Sequence, residues 1–193
     1  YATKGGITGL PTGFDDLDEM TSGLQPADLV IVAARPSMGK TSLAMNLAEH
    51  ALMQEDAGPV LVFSLEMPAD SLMLRMLSSL GQIDFSNIRS GQLREDDWPR
   101  LTSTINLLKD RALFIDASPG LTPTEIRARA RRVARDFARQ RRREREAAAG
   151  NDAEQGEVEH PEHLMGMIVV DYLQLMRSPS AGENRAQEIS EIS

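Results

Sequence analysis

One stretch restricts the fold of this chain more than any other. Leu29-Val30-Ile31-Val32-Ala33 is an unbroken apolar run rich in β-branched residues. Ala34-Arg35-Pro36-Ser37-Met38-Gly39-Lys40-Thr41-Ser42 follows at once. A helical pattern then runs from Lys40 to about Gln54, with Leu43, Leu47 and Ala51 on one face. A strand that enters a helix through a loop ending in Gly-Lys-Thr is the setting of a Walker A phosphate loop. Successive N–H groups of such a loop turn inward as an anion nest, and the helix N-terminus adds partial positive charge. Gly39 lets the backbone approach phosphate without a Cβ in the way. Lys40 is expected to reach the β- and γ-phosphates, and the Thr41 hydroxyl to ligate the Mg²⁺ that bridges them. The candidate nucleotide-binding residues are therefore Ala34, Arg35, Pro36, Ser37, Met38, Gly39, Lys40, Thr41 and Ser42. Ala34 stands where the general motif has its first glycine. Alanine there costs about 1–2 kcal/mol if the position requires a left-handed backbone.

Three further apolar runs, Val60–Leu65, Ala112–Ile115 and Met167–Leu173, read as strands covered on both faces. Helical patterns separate them at Ala69–Leu80, at Thr124 to about Ala149 and, less clearly, at Asp96–Leu108. Asp70 and Thr124 read as helix starts, with Pro68 and Pro123 nearby and Glu125 in a first turn. Strands alternating with helices predict an α/β fold with a parallel sheet, which binds ligands at the carboxyl ends of its strands. Asp171, closing the strand Met167-Ile168-Val169-Val170-Asp171, is the candidate Walker B acid and second Mg²⁺ residue. A hydrolase also needs a group that orients the attacking water. Glu66 ends the strand Val60–Leu65 on the same sheet edge; by position it serves equally as that group or as a helix cap. Asp116 ends a strand too, but Asp116-Ala117-Ser118-Pro119-Gly120 reads as a turn.

Charge and composition bound the surroundings of this site. The 193 residues carry a formal charge of −8, which argues against a dedicated nucleic-acid-binding domain. The distribution is uneven: arginines crowd between Arg127 and Arg145, and acids follow from Asp152 to Glu162. The arginine run reads first as the exposed face of a helix. There is no cysteine, which excludes disulfides and thiolate metal sites and suits a reducing cytoplasm. No apolar run approaches the roughly 18 residues of a membrane span. Gly150 to Gly166 is polar and reads as a flexible surface loop. The beginning at Tyr1, without methionine or signal core, and the end at Ser193 inside the helical pattern Ala186–Ile192, read as artificial boundaries.

Several motifs together resemble bacterial replicative helicases of the DnaB type. They are Thr8-Gly9-Leu10-Pro11-Thr12-Gly13-Phe14-Asp15-Asp16-Leu17-Asp18, Gly23-Leu24-Gln25-Pro26, the loop Ala34–Thr41 with its alanine, Phe63-Ser64-Leu65-Glu66-Met67, Ser118-Pro119-Gly120-Leu121-Thr122-Pro123-Thr124-Glu125 and Asp171-Tyr172-Leu173-Gln174-Leu175-Met176. The resemblance implies a RecA-like P-loop ATPase, with residues 1–28 as a lead segment, 29–193 as a partial core and 140–166 as an inserted flexible stretch. It implies ATP and Mg²⁺ as ligands, a homo-hexameric ring on single-stranded DNA, and a primase and a helicase loader as partners. By matching position it makes Glu66 the catalytic carboxylate, beside Lys40. The sheet is expected to be incomplete, since the family's sensing strand, DNA-contacting loops and arginine finger would lie beyond Ser193. A RecA-like recombinase, a clock-type ATPase and an ATP-binding scaffold that recruits replication partners are the alternative readings.

Overall fold

A computed structural model describes residues 7–35, 37–54, 58–149, 166–172 and 176. They divide into two compact units, one drawn from Tyr1–Ala57 and Leu74–Ile105, the other from Gly58–Met73 and Asn106–Ser193.

The first unit begins with an antiparallel bridge in which Leu10 and Leu24 exchange backbone hydrogen bonds of 2.8 Å. The bridge frames a short helix, α1 (Asp15–Thr21), which ends at Ser22 in the left-handed conformation. Asp18 of α1 is buried and turns back to the preceding loop. Its carboxylate accepts from the Thr12 amide at 2.8 and 3.1 Å and from the Gly13 amide at 3.3 Å. Burial pushes this carboxyl up, but bonds from Thr12 and Gly13 and the charge of His50 outweigh it and hold it below the usual range. Gly13 sits at φ 83°, and a Cβ there would lie 2.6 Å from His50 Nδ1. The lead segment therefore packs on the last turn of α2 (Lys40–Met53).

Asp18→Ala is expected to cost about 1–3 kcal/mol, since it strands two amides beside a buried Thr12. A carboxyl held low in the folded state stabilises above its unfolded pKa and loses that contribution as pH falls through the folded value. Urea unfolding should therefore separate parent and variant at pH 7 and bring them together below about pH 4. An equal gap at both pH values would sink this assignment.

α2 buries Met45, Leu47, Ala48, Ala51 and Leu52. Glu49 is buried with them; burial pushes its carboxyl up, and Ser79 Oγ donates to it at 2.7 Å. α3 (Ala69–Gly81), α4 (Phe85–Ser90) and α5 (Asp97–Lys109) follow. The Asp84 side chain caps α4 by accepting from the Ser86 amide at 2.7 Å. α1 and α4 are absent from the sequence reading. Seven and six residues give too few turns for a periodic apolar face, and local caps define them instead.

The second unit holds a parallel sheet of β1 (Val60–Ser64), β2 (Leu113–Asp116) and β3 (Met167–Asp171), in the order β2-β1-β3. β1 is central and buried throughout, as its five apolar or small residues require. Its register pairs Val60 with Leu113 and Met167, and Ser64 with Asp171. Gly166 brings β3 in beside β1, because a Cβ there would lie 2.7 Å from the Gly58 carbonyl oxygen. Leu61 and Phe63 project to one face of the sheet. There they form a core with Leu121 and Ala130, flanked by Leu65, Ile126, Val133 and Val170.

That core is closed by α6 (Pro123–Ala149). Its cap is Thr122, two residues before the start expected at Thr124. The Thr122 amide and hydroxyl both donate to Glu125 Oε2 at 2.8 Å, and the Glu125 amide donates to Thr122 Oγ1 at 3.3 Å. This is a capping box with Pro123 at the first helical position, where its missing N–H leaves no bond unmade. Residues 140–149, expected within a flexible insertion, continue α6 as helix. Gly150–Met165 and the helical pattern Ala186–Ile192 lie outside the described residues.

One expected strand does not form. Leu29–Ala33 makes no ladder among the described residues, and Leu29, Val30 and Ile31 are 66%, 55% and 60% exposed. Apolar β-branched composition supplies a preference, but a strand exists only when a neighbour pairs with its N–H and C=O groups.

Candidate functional site

The phosphate loop lies in the first unit. Two of its residues have left-handed backbone, Ser37 at φ 65° and Gly39 at φ 87°. Residues of alternating hand turn successive N–H groups toward one concavity, which is the geometry of an anion nest. A Cβ on Gly39 would meet nothing within 4 Å, so its positive φ, not crowding, requires glycine among the described residues. Gly39 is the N-cap of α2, and the Leu43 amide donates to its carbonyl at 2.9 Å. Lys40 and Thr41 thus occupy the first turn, half-buried, while Arg35, Ser37, Met38 and Ser42 are exposed. Pro36 lies outside the described residues. Ala34 is not among the residues at positive φ, so alanine in that place carries none of the left-handed strain that the bare motif threatens.

Glu66 and Asp171 both lie in the second unit, and there the sheet brings them together. Asp171 ends β3 opposite Ser64, the last residue of β1. The ladder continues one step further, because the Leu65 amide donates to the Asp171 carbonyl at 2.7 Å. Glu66 follows directly, so both acids stand at the carboxyl edge of adjacent parallel strands. Asp171 is buried and Glu66 is exposed. Among the described residues no hydrogen-bond or ionic partner is found for the Glu66 carboxylate.

Sequence reasoning missed the device that presents Glu66. Ser64 is buried, its hydroxyl donates to the Met67 carbonyl at 2.7 Å, and the Met67 amide donates back to Ser64 Oγ at 3.2 Å. A serine at a strand end, three residues before the chain turns, was the available signal, since its hydroxyl can close such a turn locally. The reading of Asp116 as a turn former agrees with the structure. Its Oδ1 accepts from the Ser118 amide at 3.0 Å. Arg129 of α6 pairs with Oδ2 and donates to Ser118 Oγ at 2.8 Å. Burial pushes the Asp116 carboxyl up, but Ser118 and Arg129 hold it below the usual range.

The residues present suit a nucleoside triphosphate with a hard cation. The left-handed pair at Ser37 and Gly39, the α2 N-terminus and Lys40 favour phosphate oxygens. The Thr41 hydroxyl and the Asp171 carboxylate are oxygen donors of the kind Mg²⁺ takes. Among the described residues no group of three or more His, Cys, Asp or Glu could hold a metal by itself. Among them, too, no helix is long and apolar enough to cross a membrane.

Comparison with known proteins gives the family and the fold. The family pattern described as the DnaB-like helicase C terminal domain matches residues 9–141 and 153–193. The replicative DNA helicase DnaB of Haemophilus influenzae (strain ATCC 51907 / DSM 11121 / KW20 / Rd) is 51% identical over 190 residues, which are 97% of this chain and 35% of that protein. DnaB of Buchnera aphidicola subsp. Schizaphis graminum (strain Sg) is 49% identical over 189 residues, again 97% of this chain and 35% of the relative. The chain therefore spans about a third of the length of these relatives. Among solved structures, a DnaB-like replicative helicase described with its interactions with primase superposes with a TM-score of 0.74 and 29% identity, over 100% of this chain and 41% of that one. A second solved structure, of an ATPase domain, gives a TM-score of 0.72 and 28% identity, over 98% of this chain and 58% of that one. The phosphate loop, the parallel sheet and these likenesses converge: the chain belongs to the DnaB-like helicase C-terminal domain family.

Proposed function

We propose that this chain is the N-terminal part of the ATPase motor of a replicative DNA helicase. In this reading it binds ATP with Mg²⁺ and, within the intact protein, drives a homo-hexameric ring along single-stranded DNA in the cytoplasm. A primase and a helicase loader are the partners the family membership suggests. The observation that carries the reading is the placing of Glu66 and Asp171 on one sheet edge, tied by the Leu65–Asp171 backbone bond.

The chemistry follows from the residues. Lys40 and the loop amides bind the triphosphate and offset the charge that grows on the γ-phosphoryl group at transfer. Thr41 and Asp171 would hold Mg²⁺, which supplies further neutralisation of phosphate charge when bound. The exposed Glu66 carboxylate orients a water for in-line attack and accepts its proton. Ser64 fixes the turn from which Glu66 projects. An arginine from a neighbouring subunit completes the constellation in this reading. A recombinase or clock-type ATPase would share the phosphate loop, but the family match favours the helicase. Strand separation by the full-length protein on a forked substrate distinguishes them.

Lys40→Ala removes a charge-assisted bond worth about 1.5–3 kcal/mol. Binding of a fluorescent ATP analogue with Mg²⁺ should weaken about 10- to 100-fold, by titration of parent and variant. Unchanged affinity would remove Lys40, and with it the phosphate-loop reading, from the proposal.

A further inference from the structure

Two successive segments of this chain carry opposite charge in nearly equal amount. α6 holds ten arginines, no lysine and four acidic residues, a net of +6. The next sixteen residues, Gly150–Met165, hold Asp152, Glu154, Glu157, Glu159 and Glu162 and neither lysine nor arginine. Their net is −5 with the histidines neutral.

The connectivity sends the second segment back past the first. α6 joins β2 to β3, and both strands are parallel to β1. A crossover between parallel strands runs opposite to them, so α6 heads for the edge where β3 begins. Val133 is the last α6 residue packed against the sheet core. The helix continues to Ala149, another sixteen residues or about 24 Å. Gly166, by contrast, is tied at the start of the sheet, its amide donating to the Pro59 carbonyl at 3.0 Å. The chain therefore overshoots the sheet on α6 and has to come back. Sixteen residues reach at most about 55 Å, which is length enough to lie along the overshooting half of the helix.

That half of α6 lacks carboxylates of its own for its arginines. Arg131, Arg132, Arg135, Arg139 and Arg143 are exposed. Arg131–Arg135, Arg135–Arg139 and Arg139–Arg143 are like-charged pairs at four-residue spacing, which destabilise a helix. Glu125 is engaged in the capping box, and Glu144 accepts from Gln140 Nε2 at 2.9 Å. Asp136 lies 3.8 Å from Arg139 in a highly exposed pair. Arg129 turns inward to Asp116 and takes no part. The family pattern passes over residues 142–152, so the last turns of α6 and the first acid of the run, Asp152, are both additional to it.

We infer that the acidic segment Asp152–Glu162 docks on the outer arginine face of α6 of the same chain, as an intramolecular autoinhibitory contact. A single exposed ion pair contributes little, but this segment is tethered at both ends, so its pairing is intramolecular and acts through several charges at once. Any anionic partner for this face has to displace the segment first.

The test is the rate at which phenylglyoxal modifies each arginine of the whole chain, read by mass spectrometry. At 50 mM salt Arg135, Arg139 and Arg143 should react about 5-fold more slowly in the parent than in D152N/E154Q/E157Q/E159Q/E162Q. Arg94 and Arg100, exposed and outside α6, should react equally in both. At 1 M salt, where screening acts within about 3 Å, parent and variant should converge. The control D15N/D16N/E19Q/D28N/E95Q removes the same charge from exposed positions elsewhere and should keep the protection. A second readout leaves every charge in place. The chain has no cysteine, so spin labels can be set at Gln140→Cys and Gln155→Cys alone. Their separation should be a single narrow peak at 50 mM salt. At 1 M salt it should spread over roughly 13 Å, the span of six unrestrained residues. Equal arginine rates in parent and variant, loss of protection in the control, or a broad separation at both salt levels overturns the inference. Protection that disappears on dilution would mean that a second copy covers the face, and overturns it too. The nucleotide site takes no part, so failure here leaves the motor reading intact.

Discussion

Glu66→Gln in the intact protein is expected to lower steady-state ATP turnover about 10²- to 10⁴-fold while ATP affinity stays within about threefold. The substitution keeps the size and hydrogen-bonding reach of the side chain but removes its ability to accept a proton. Ser64 and its turn, the Leu65–Asp171 ladder bond and the strand register are all backbone or neighbouring features that the substitution does not touch. Ser37, Gly39 and Lys40, proposed to bind phosphate, belong to a different compact unit, which separates binding from turnover in the prediction. Equilibrium binding of an ATP analogue and phosphate release at saturating ATP give the two readouts. Near-parental hydrolysis would end the assignment of Glu66. Equal loss of binding and turnover would make it a ground-state contact and not a catalytic one.

Phe63→Ala is expected to cost about 3–5 kcal/mol of folding free energy, from lost transfer energy and the cavity left behind. Phe63 is 0% exposed in β1, the strand that pairs on both sides. It packs in the cluster of Leu61, Leu121 and Ala130, and Ile126 and Val133 of α6 close over it. The loss would remove much of the roughly 5–15 kcal/mol that holds an ordinary domain folded. Phe114→Ala is the internal comparison: the same atoms are removed from β2, where Phe114 is 39% exposed. Urea midpoints should fall far more for Phe63 than for Phe114, at similar slopes. A loss under about 1 kcal/mol at Phe63, well below the range for a filled core site, would mean that α6 does not close this face of the sheet. Because β1 ends two residues before Glu66, the same variant should also lose turnover beyond what its unfolded fraction explains.

Most of the scaffold was legible in local pattern. The runs at Val60, Ala112 and Met167 became the three strands, and the patterns at Lys40, Ala69, Asp96 and Thr124 became α2, α3, α5 and α6. These elements announce themselves because continuous burial or a periodic apolar face is written in residue order. Gly39-Lys40-Thr41 is legible for a similar reason: one short stretch carries the left-handed glycine, the helix start and the cation. The capping box at Thr122 and Glu125 was within reach too, since both partners lie three residues apart.

The remainder depended on groups distant in sequence. Leu29–Ala33 has the composition of a strand, yet pairing requires a neighbouring backbone, and composition does not say whether one lies alongside. Residue order near Glu66 does not say which acid stands beside it; β3, about a hundred residues later, brings Asp171 opposite Ser64. Local chemistry in the sequence determined the phosphate loop, the helices and the apolar strands. Only the tertiary structure decided which of the strands ending in acids are neighbours and in what register, since ladder register is set by backbone bonds between strands far apart in the chain. It also decided which arginines of α6 turn inward, since the Asp116 carboxylate that holds Arg129 comes from another element.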